Sequence, residues 1–344
     1  MKNKMIAMLC MVMASAMLLV GCGGATTATT TSAAAEGTTV AGATTAAGTT
    51  TAAGTTTAQT TKSGDGQLFV GMAFQEMNNE YFVVMKEAFE QACTSIGAKT
   101  VYTDANHDVS KQIADIEDMV QQGIDILLLN PADTAGIESA VKYAHDAGVI
   151  IVCVDAQANG PVDCFVGSKN YDAGYLAGMQ MVKDLNGEGD VAILDGIAVT
   201  PILDRVAGFT DAVATAPGIK IVDTQNGKQE RDVALTVVEN MLQANPTIKA
   251  IFSVNDTGSM GALAAVQGAG SSVLIYSVDG SPEAVKAVGE GGNFMATSAQ
   301  YPRDQVRIGL GMALAKYWGA TVVPTAVPID VTLITKENAS GFAW

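Results

Sequence analysis

The sequence is poor in three things that many functions require. Aromatic residues make up 6% of the chain, too few for the stacking surfaces on which single-stranded nucleic acids are held. Basic residues are also scarce: 19 Lys and Arg stand against 35 Asp and Glu, a formal charge of -16, or -18 once Lys2 and Lys4 leave with the leader described below (-16 minus 2). Such a balance repels phosphate backbones and anionic headgroups, so no nucleic-acid partner and no electrostatic docking to a membrane are expected. There are only two histidines, His107 and His145, in different predicted elements and with no GxSxG elbow nearby, so a nucleophilic triad or zinc site has little support. GxxxxGK[ST] is absent, and no GxGxxG opens the first helix. No cofactor, metal or catalytic residue is expected.

Cysteine is sparse as well. Of five, Cys10 and Cys22 lie in or at the end of the leader. Cys93 falls in a helical stretch, and Cys153 and Cys164 in apolar runs, without CxxC spacing; all three read as small buried hydrophobes, with a 153–164 disulfide left open.

The chain does have 344 residues, 48% of them hydrophobic and 36 glycines, enough for about two domains. Residues 1–21 combine two lysines with an apolar stretch too short for a membrane span, as a secretory signal does. The following Leu19-Val20-Gly21-Cys22 resembles a bacterial lipobox, which implies cleavage before Cys22 and its acylation, so that a lipid on Cys22 is the only membrane attachment. Residues 22–67 are almost entirely Thr, Ala, Gly and Ser and cannot bury enough apolar surface to offset ordering entropy. They read as a tether of roughly 40 residues spanning on the order of 35 Å. Whether its threonines are glycosylated the sequence leaves open.

From Leu68 onward, apolar runs alternate with amphipathic segments. LFVGMAF, KTVYT, IDILLLN and VIIVCVD form a first βα set; VAILDG, IKIVDT, KAIFSVND, VLIYSVDG and NFMATSAQ form a second. Continuous rather than alternating hydrophobicity indicates strands covered on both faces, hence parallel sheets in an α/β, doubly wound fold. Asp155, Asn255, Asp279 and Gln300 close four of these runs, at the carboxyl edge where open α/β sheets bind ligands.

The ordered segments MNNEYFVVMKEAFEQA, DILLLNPADTAGIESAV, VIIVCVDAQ, GSKNYDAGYLAG, DRVAGFTDAV, AIFSVNDTGSMGAL, SVDGSPEAVKAV and ATSAQYPRDQVRIG resemble the type I periplasmic binding proteins, in their ribose-binding branch, over essentially all of residues 68–340. The resemblance implies two Rossmann-like lobes, 68–169 with 301–327 and 170–300 with 328–344, joined by three crossings near 168–171, 299–302 and 326–330. It implies a monomer that encloses a monosaccharide or polyol. Asn79, Tyr81 and Phe82 match the motif whose amide binds hydroxyls and whose rings pack on the sugar; Asp155, Asn255, Asp279 and Gln300 match polar contacts; Gln75 and Gln229 complete the candidate set. Each also has a local explanation: Asn79 as a helix cap, Tyr81 and Phe82 as helix core, the aspartates as turn residues, Gln229 as part of a polar run. Two family arginines are replaced, by Ala156 and Leu203, while Arg205 matches a neighbouring arginine; Gln229 stands where the family has an aromatic. Asp155 and Asp279 are therefore expected to lack cationic neighbours, favouring a deoxy sugar, a polyol or an amine-bearing ligand. Delivery to the permease of an ABC importer is the implied role, with presentation to a chemotaxis or kinase receptor as the alternative. An N-terminal helix-turn-helix, needed by repressors of the same fold, has no place beside the signal and tether.

Overall fold

The computed structural model describes residues 66–344; the leader, Cys22 and nearly all of the tether lie outside the described residues. Two six-stranded sheets follow, each wrapped by helices. The chain runs β1 (Phe69–Phe74), α1 (Glu80–Ser95), β2 (Lys99–Asp104), α2 (Val109–Gln121), β3 (Ile126–Leu129), α3 (Glu138–Asp146), β4 (Ile150–Val154) and β5 (Cys164–Ser168). It continues with α4 (Asn170–Asp184), β6 (Glu188–Asp195), α5 (Thr200–Ala214), β7 (Gly218–Asn226), α6 (Arg231–Ala244), β8 (Ile248–Ser253), α7 (Asp256–Gly268), β9 (Leu274–Asp279), α8 (Pro282–Glu290) and β10 (Phe294–Ala299). Last come α9 (Pro302–Tyr317), β11 (Ala326–Ile329), β12 (Thr332–Thr335) and a 3-10 turn at Ala339–Gly341.

The strand orders are β2-β1-β3-β4-β5-β11 and β7-β6-β8-β9-β10-β12, the same order twice. All pairings are parallel except β10 with β12. Strand periodicity divides the first core in two: Val70, Met72, Phe74, Ile126 and Leu128 face α1 and α9, while Phe69, Ala73, Leu127 and Leu129 face α2 and α3. Burying both faces is why β3 reads ILLL with no polar position. Each such side chain contributes about 1.5–3 kcal/mol.

The same periodicity closes the disulfide question. Cys164 pairs in register with Val152, and Cys153 with Phe165, so the two thiols are one residue out of step and lie in clusters on opposite faces of the sheet. All three described cysteines are free and buried.

The chain passes between the sheets after Ser168, after Ala299 and after Ile329. The last passage falls beyond the boundary expected after Val327, because Pro328 and Ile329 still pair with Gly167 and Ser168. Among the described residues no helix is long and apolar enough to cross a membrane.

One close helix contact bears on the site. A Cβ at Gly174 of α4 would lie 1.9 Å from the Arg205 carbonyl oxygen, and one at Gly208 of α5 would lie 2.0 Å from that of Tyr171. Only glycine lets these two backbones meet, and their approach carries Arg205 beneath the ends of β8 and β9.

Candidate functional site

The carboxyl edges of both sheets face a cavity of about 650 Å3, lined from the first lobe by Gln75, Asn79, Tyr81, Phe82, Asp155 and Ala156, and from the second by Arg205, Gln229, Asp256 and Asp279. Gln300 lines it from the second crossing.

Three buried carboxylates dominate its floor. Asp155 follows β4 with φ 68°, and Asp279 ends β9 with φ 133°, values that L residues rarely adopt. Backbone strain of this kind persists where surrounding bonds over-determine it. Asn130 Nδ2 donates to Asp155 Oδ2 at 3.1 Å, and the Asp155 amide donates to the Val166 carbonyl. Asp279 Oδ1 accepts from Gln300 Nε2 at 2.7 Å and from Arg205 Nη1 at 3.2 Å, while Oδ2 accepts from the Asp256 amide at 3.3 Å. Asp256 accepts from the Ser281 amide (2.7 Å) and the Thr297 hydroxyl (2.8 Å). Loss of water raises all three pKa values: Asp155 is pushed up to about 6, with Arg205 opposing, and Asp256 to about 7, with the Asp279 charge adding to the rise. Asp279 is raised by burial against the pull of Arg205.

Arg205 corrects the expectation that the aspartates lack a cationic neighbour. It is 4% exposed, in an ion pair with Asp279, and its Nε and Nη1 donate at 2.8 Å to Asn170 Oδ1 and the Val254 carbonyl. Its Nη2 bonds to no described residue, and the side chain lines the cavity, so this guanidinium edge is available to a ligand. Leu203, two residues earlier, is 54% exposed and takes no part. The guanidinium was legible in α5: Ile202, Arg205, Gly208 and Phe209 share a buried face at helical spacing, and Leu203 falls off it.

The other candidates divide. Gln75 is buried, its backbone bonds to Asn130 and His107, and its amide side chain bonds to no described residue while lining the cavity. Phe82 lines the cavity with an edge-to-face contact to Tyr81. The hydroxyl of Tyr81 donates to Gln300 Oε1 at 3.3 Å and accepts from Gln305 Nε2 at 2.8 Å; burial, and then the neighbouring Asp155 charge, raise its pKa. Asn79 lines the cavity, but its Oδ1 caps α1 through the Tyr81 amide. Asn255 is outside the lining: Oδ1 caps α7 at Gly258, and Nδ2 donates to the Gln229 carbonyl. Its neighbour Asp256 supplies the polar group at that edge, a residue the sequence did not single out. Gln229, at φ 62°, lines the cavity and accepts from the Ile197 amide. At the rim, Arg231 pairs with Glu283, and Glu76, with its pKa raised by burial, lies near His107.

Three comparisons agree with this geometry. The family model of a periplasmic binding protein domain matches residues 70–319. The ribose import binding protein RbsB of Bacillus subtilis is 34% identical over 245 residues, 70% of this chain and 79% of its own length. The D-allose-binding periplasmic protein of Escherichia coli is 31% identical, with 74% and 86% covered. Among solved structures, an ABC transporter periplasmic solute-binding protein from Actinobacillus succinogenes with bound D-allose superposes with a TM-score of 0.76 at 29% identity, covering 80% of this chain and all of its own. The chain therefore belongs to the type I periplasmic binding proteins, in the ribose-like branch, a family of solute-binding proteins rather than enzymes.

Proposed function

We propose that this protein captures a small sugar or polyol between its lobes and delivers it to the permease of an ABC importer. The observation that carries the reading is the floor of the cavity. Carboxylates from both lobes, Asp155 and Asp279, together with the free edge of Arg205 and the amide of Gln75, bring acceptors and donors for hydroxyl groups to the lining of one cavity. A carboxylate accepts from adjacent hydroxyls, the guanidinium and amide donate to ring or hydroxyl oxygens, and Phe82 packs on the C–H surface. Closure of the lobes around ligand is a population shift that presents a joined surface to the membrane subunits. The reading includes extracytoplasmic placement, acylation of Cys22 as anchor and a monomeric working state. Relatives that bind D-allose and xylitol, and structures with bound glycerol or myo-inositol, support a polyhydroxylated ligand.

Thermal unfolding with D-ribose, D-allose, xylitol and myo-inositol, each added in turn, tests it. A probe at 100 times its Kd should stabilise the fold by about 2.7 kcal/mol. No shift with any of the four, together with native mass spectra free of any bound small molecule, refutes the ligand class.

A further inference from the structure

Trp344 packs into the site from behind the cavity floor. Its indole Nε1 donates to the carbonyl oxygen of Asp279 at 3.0 Å, and the same oxygen accepts the Gln300 amide at 2.9 Å. Its ring meets Tyr81 edge to face, centroids 5.6 Å apart, and packs against the core of the first lobe. Asp279 belongs to the second sheet, Tyr81 to α1 of the first lobe, and Gln300 to the crossing between them. Gln300 in turn joins the other two through its side chain, Oε1 to the Tyr81 hydroxyl and Nε2 to Asp279 Oδ1. Four residues thus form a closed ring, Tyr81–Gln300–Asp279–Trp344, that runs from lobe to lobe beside the crossing. Within it Trp344 is the one member that touches both lobes without lining the cavity.

We propose that Trp344 is a positioning residue that latches the closed arrangement of the lobes and fixes the carboxylate of Asp279 for its ligand. The carbonyl of Asp279 is aimed by a backbone at φ 133°, a conformation held by the two N–H donors that converge on it. Tyr81 and Trp344 belong to opposite lobes, so a motion that separates the lobes at this point breaks the ring contact. Removing the indole N–H frees Asp279 to relax, and removing the ring also loses the bridge. The effect should fall on ligand release, since the latch opposes the opening through which a bound ligand leaves.

The test uses the full chain carrying W344F, which keeps a ring against Tyr81 and drops the N–H, and W344A, which drops both. Small-angle scattering without any added sugar reads the lobe separation directly. The W344A profile should show a wider particle than wild type, with W344F between them. Only two tryptophans are present, and Trp318 is 72% exposed, so a W318F background makes Trp344 the sole tryptophan emitter and its spectrum a reporter of closure. With D-ribose or xylitol as probe, whichever stabilises the wild type, W344F should release it about 2- to 12-fold faster, the equivalent of one hydrogen bond. Superposing scattering profiles of wild type and W344A overturn the latch, whether or not a probe binds. The binding arm rests on the proposed ligand class: a wider W344A particle with no probe bound supports the latch and refutes that class. Equal release rates in wild type and W344F overturn the positioning of Asp279.

Discussion

Replacing Arg205 with Met separates electrostatics from packing, because methionine fills much of the same stem. The guanidinium gives up three hydrogen bonds, to Asn170, Val254 and Asp279, and leaves three buried carboxylates without a countercharge. Breaking one side of a buried ion pair costs about 3–5 kcal/mol. For a domain pair of this size, where 1 kcal/mol moves the midpoint by about 2–4 °C, the melting temperature at pH 7 should fall by about 6–20 °C. The pH dependence identifies the cause. Arg205 lowers the pKa of both Asp155 and Asp279, so without it their folded-state values rise further above that of the unfolded chain. A carboxyl with a raised folded pKa is destabilising while ionised, and stability returns as pH falls through that value. The deficit of R205M relative to wild type should therefore be large at pH 7.5 and shrink to less than half at pH 5. Differential scanning calorimetry across that range measures it, and R205M/D279N should recover part of the loss at pH 7.5. An R205M deficit that is the same at both pH values would refute the electrostatic account and leave only lost packing.

Three further outcomes follow from the same geometry. In D155N the amide suits the positive φ, and the burden of an ionised carboxyl whose pKa has risen from 3.8 to about 6, on the order of 3 kcal/mol and complete above pH 6, disappears. Its melting temperature should exceed wild type at pH 8 and converge with it near pH 4, while affinity for a stabilising polyol falls at least tenfold; a tighter-binding D155N contradicts the assignment. G174A drives a methyl into the Arg205 carbonyl, should cost about 3 kcal/mol in denaturant unfolding, and should weaken polyol binding as Arg205 shifts; a neutral G174A is incompatible with the observed α4–α5 contact. Iodoacetamide should label Cys93, Cys153 and Cys164 only after denaturation, with or without reductant, since burial pushes Cys93 and Cys153 up to about 12; peptide mapping that finds a 153–164 bridge disproves the sheet register.

Apolar runs such as ILLL made the central strands legible, because a short run with every position apolar suits a strand covered on both faces, whereas the edge strands β2 and β7 are largely exposed. The aspartates were legible too, since each follows a run at the sheet edge that opens on the cavity. Legibility failed where one residue has two uses. Asn255 stands in the right place, yet capping α7 takes its carbonyl and the Gln229 carbonyl takes its amide, so the cavity receives Asp256 instead. Arg205 is legible only through helical spacing, which puts it on the buried face with Ile202 and Phe209, and not through the two replaced positions Ala156 and Leu203. Trp344 had no local signal at all: its partners lie at Tyr81 and Asp279, and only the return of the chain past both lobes brings them together.

The repeated strand order explains why the floor is acidic from both sides. β4 of the first sheet and β9 of the second occupy the same place in their sheets, and Asp155 and Asp279 close them with φ of the same sign. Each takes a donor from the end of the preceding strand's segment, Asn130 for Asp155 and the Asp256 amide for Asp279. Two buried like charges on the floor of one cavity repel, and a single guanidinium cannot neutralise three carboxylates. The closed arrangement without ligand is thus opposed by its own floor, and hydroxyl donors placed between the aspartates remove part of that opposition. On the proposed function, ligand stabilises closure by differential contact with the closed state, as a population shift requires, and on the proposed latch the ring around Trp344 sets how far the balance leans before ligand arrives.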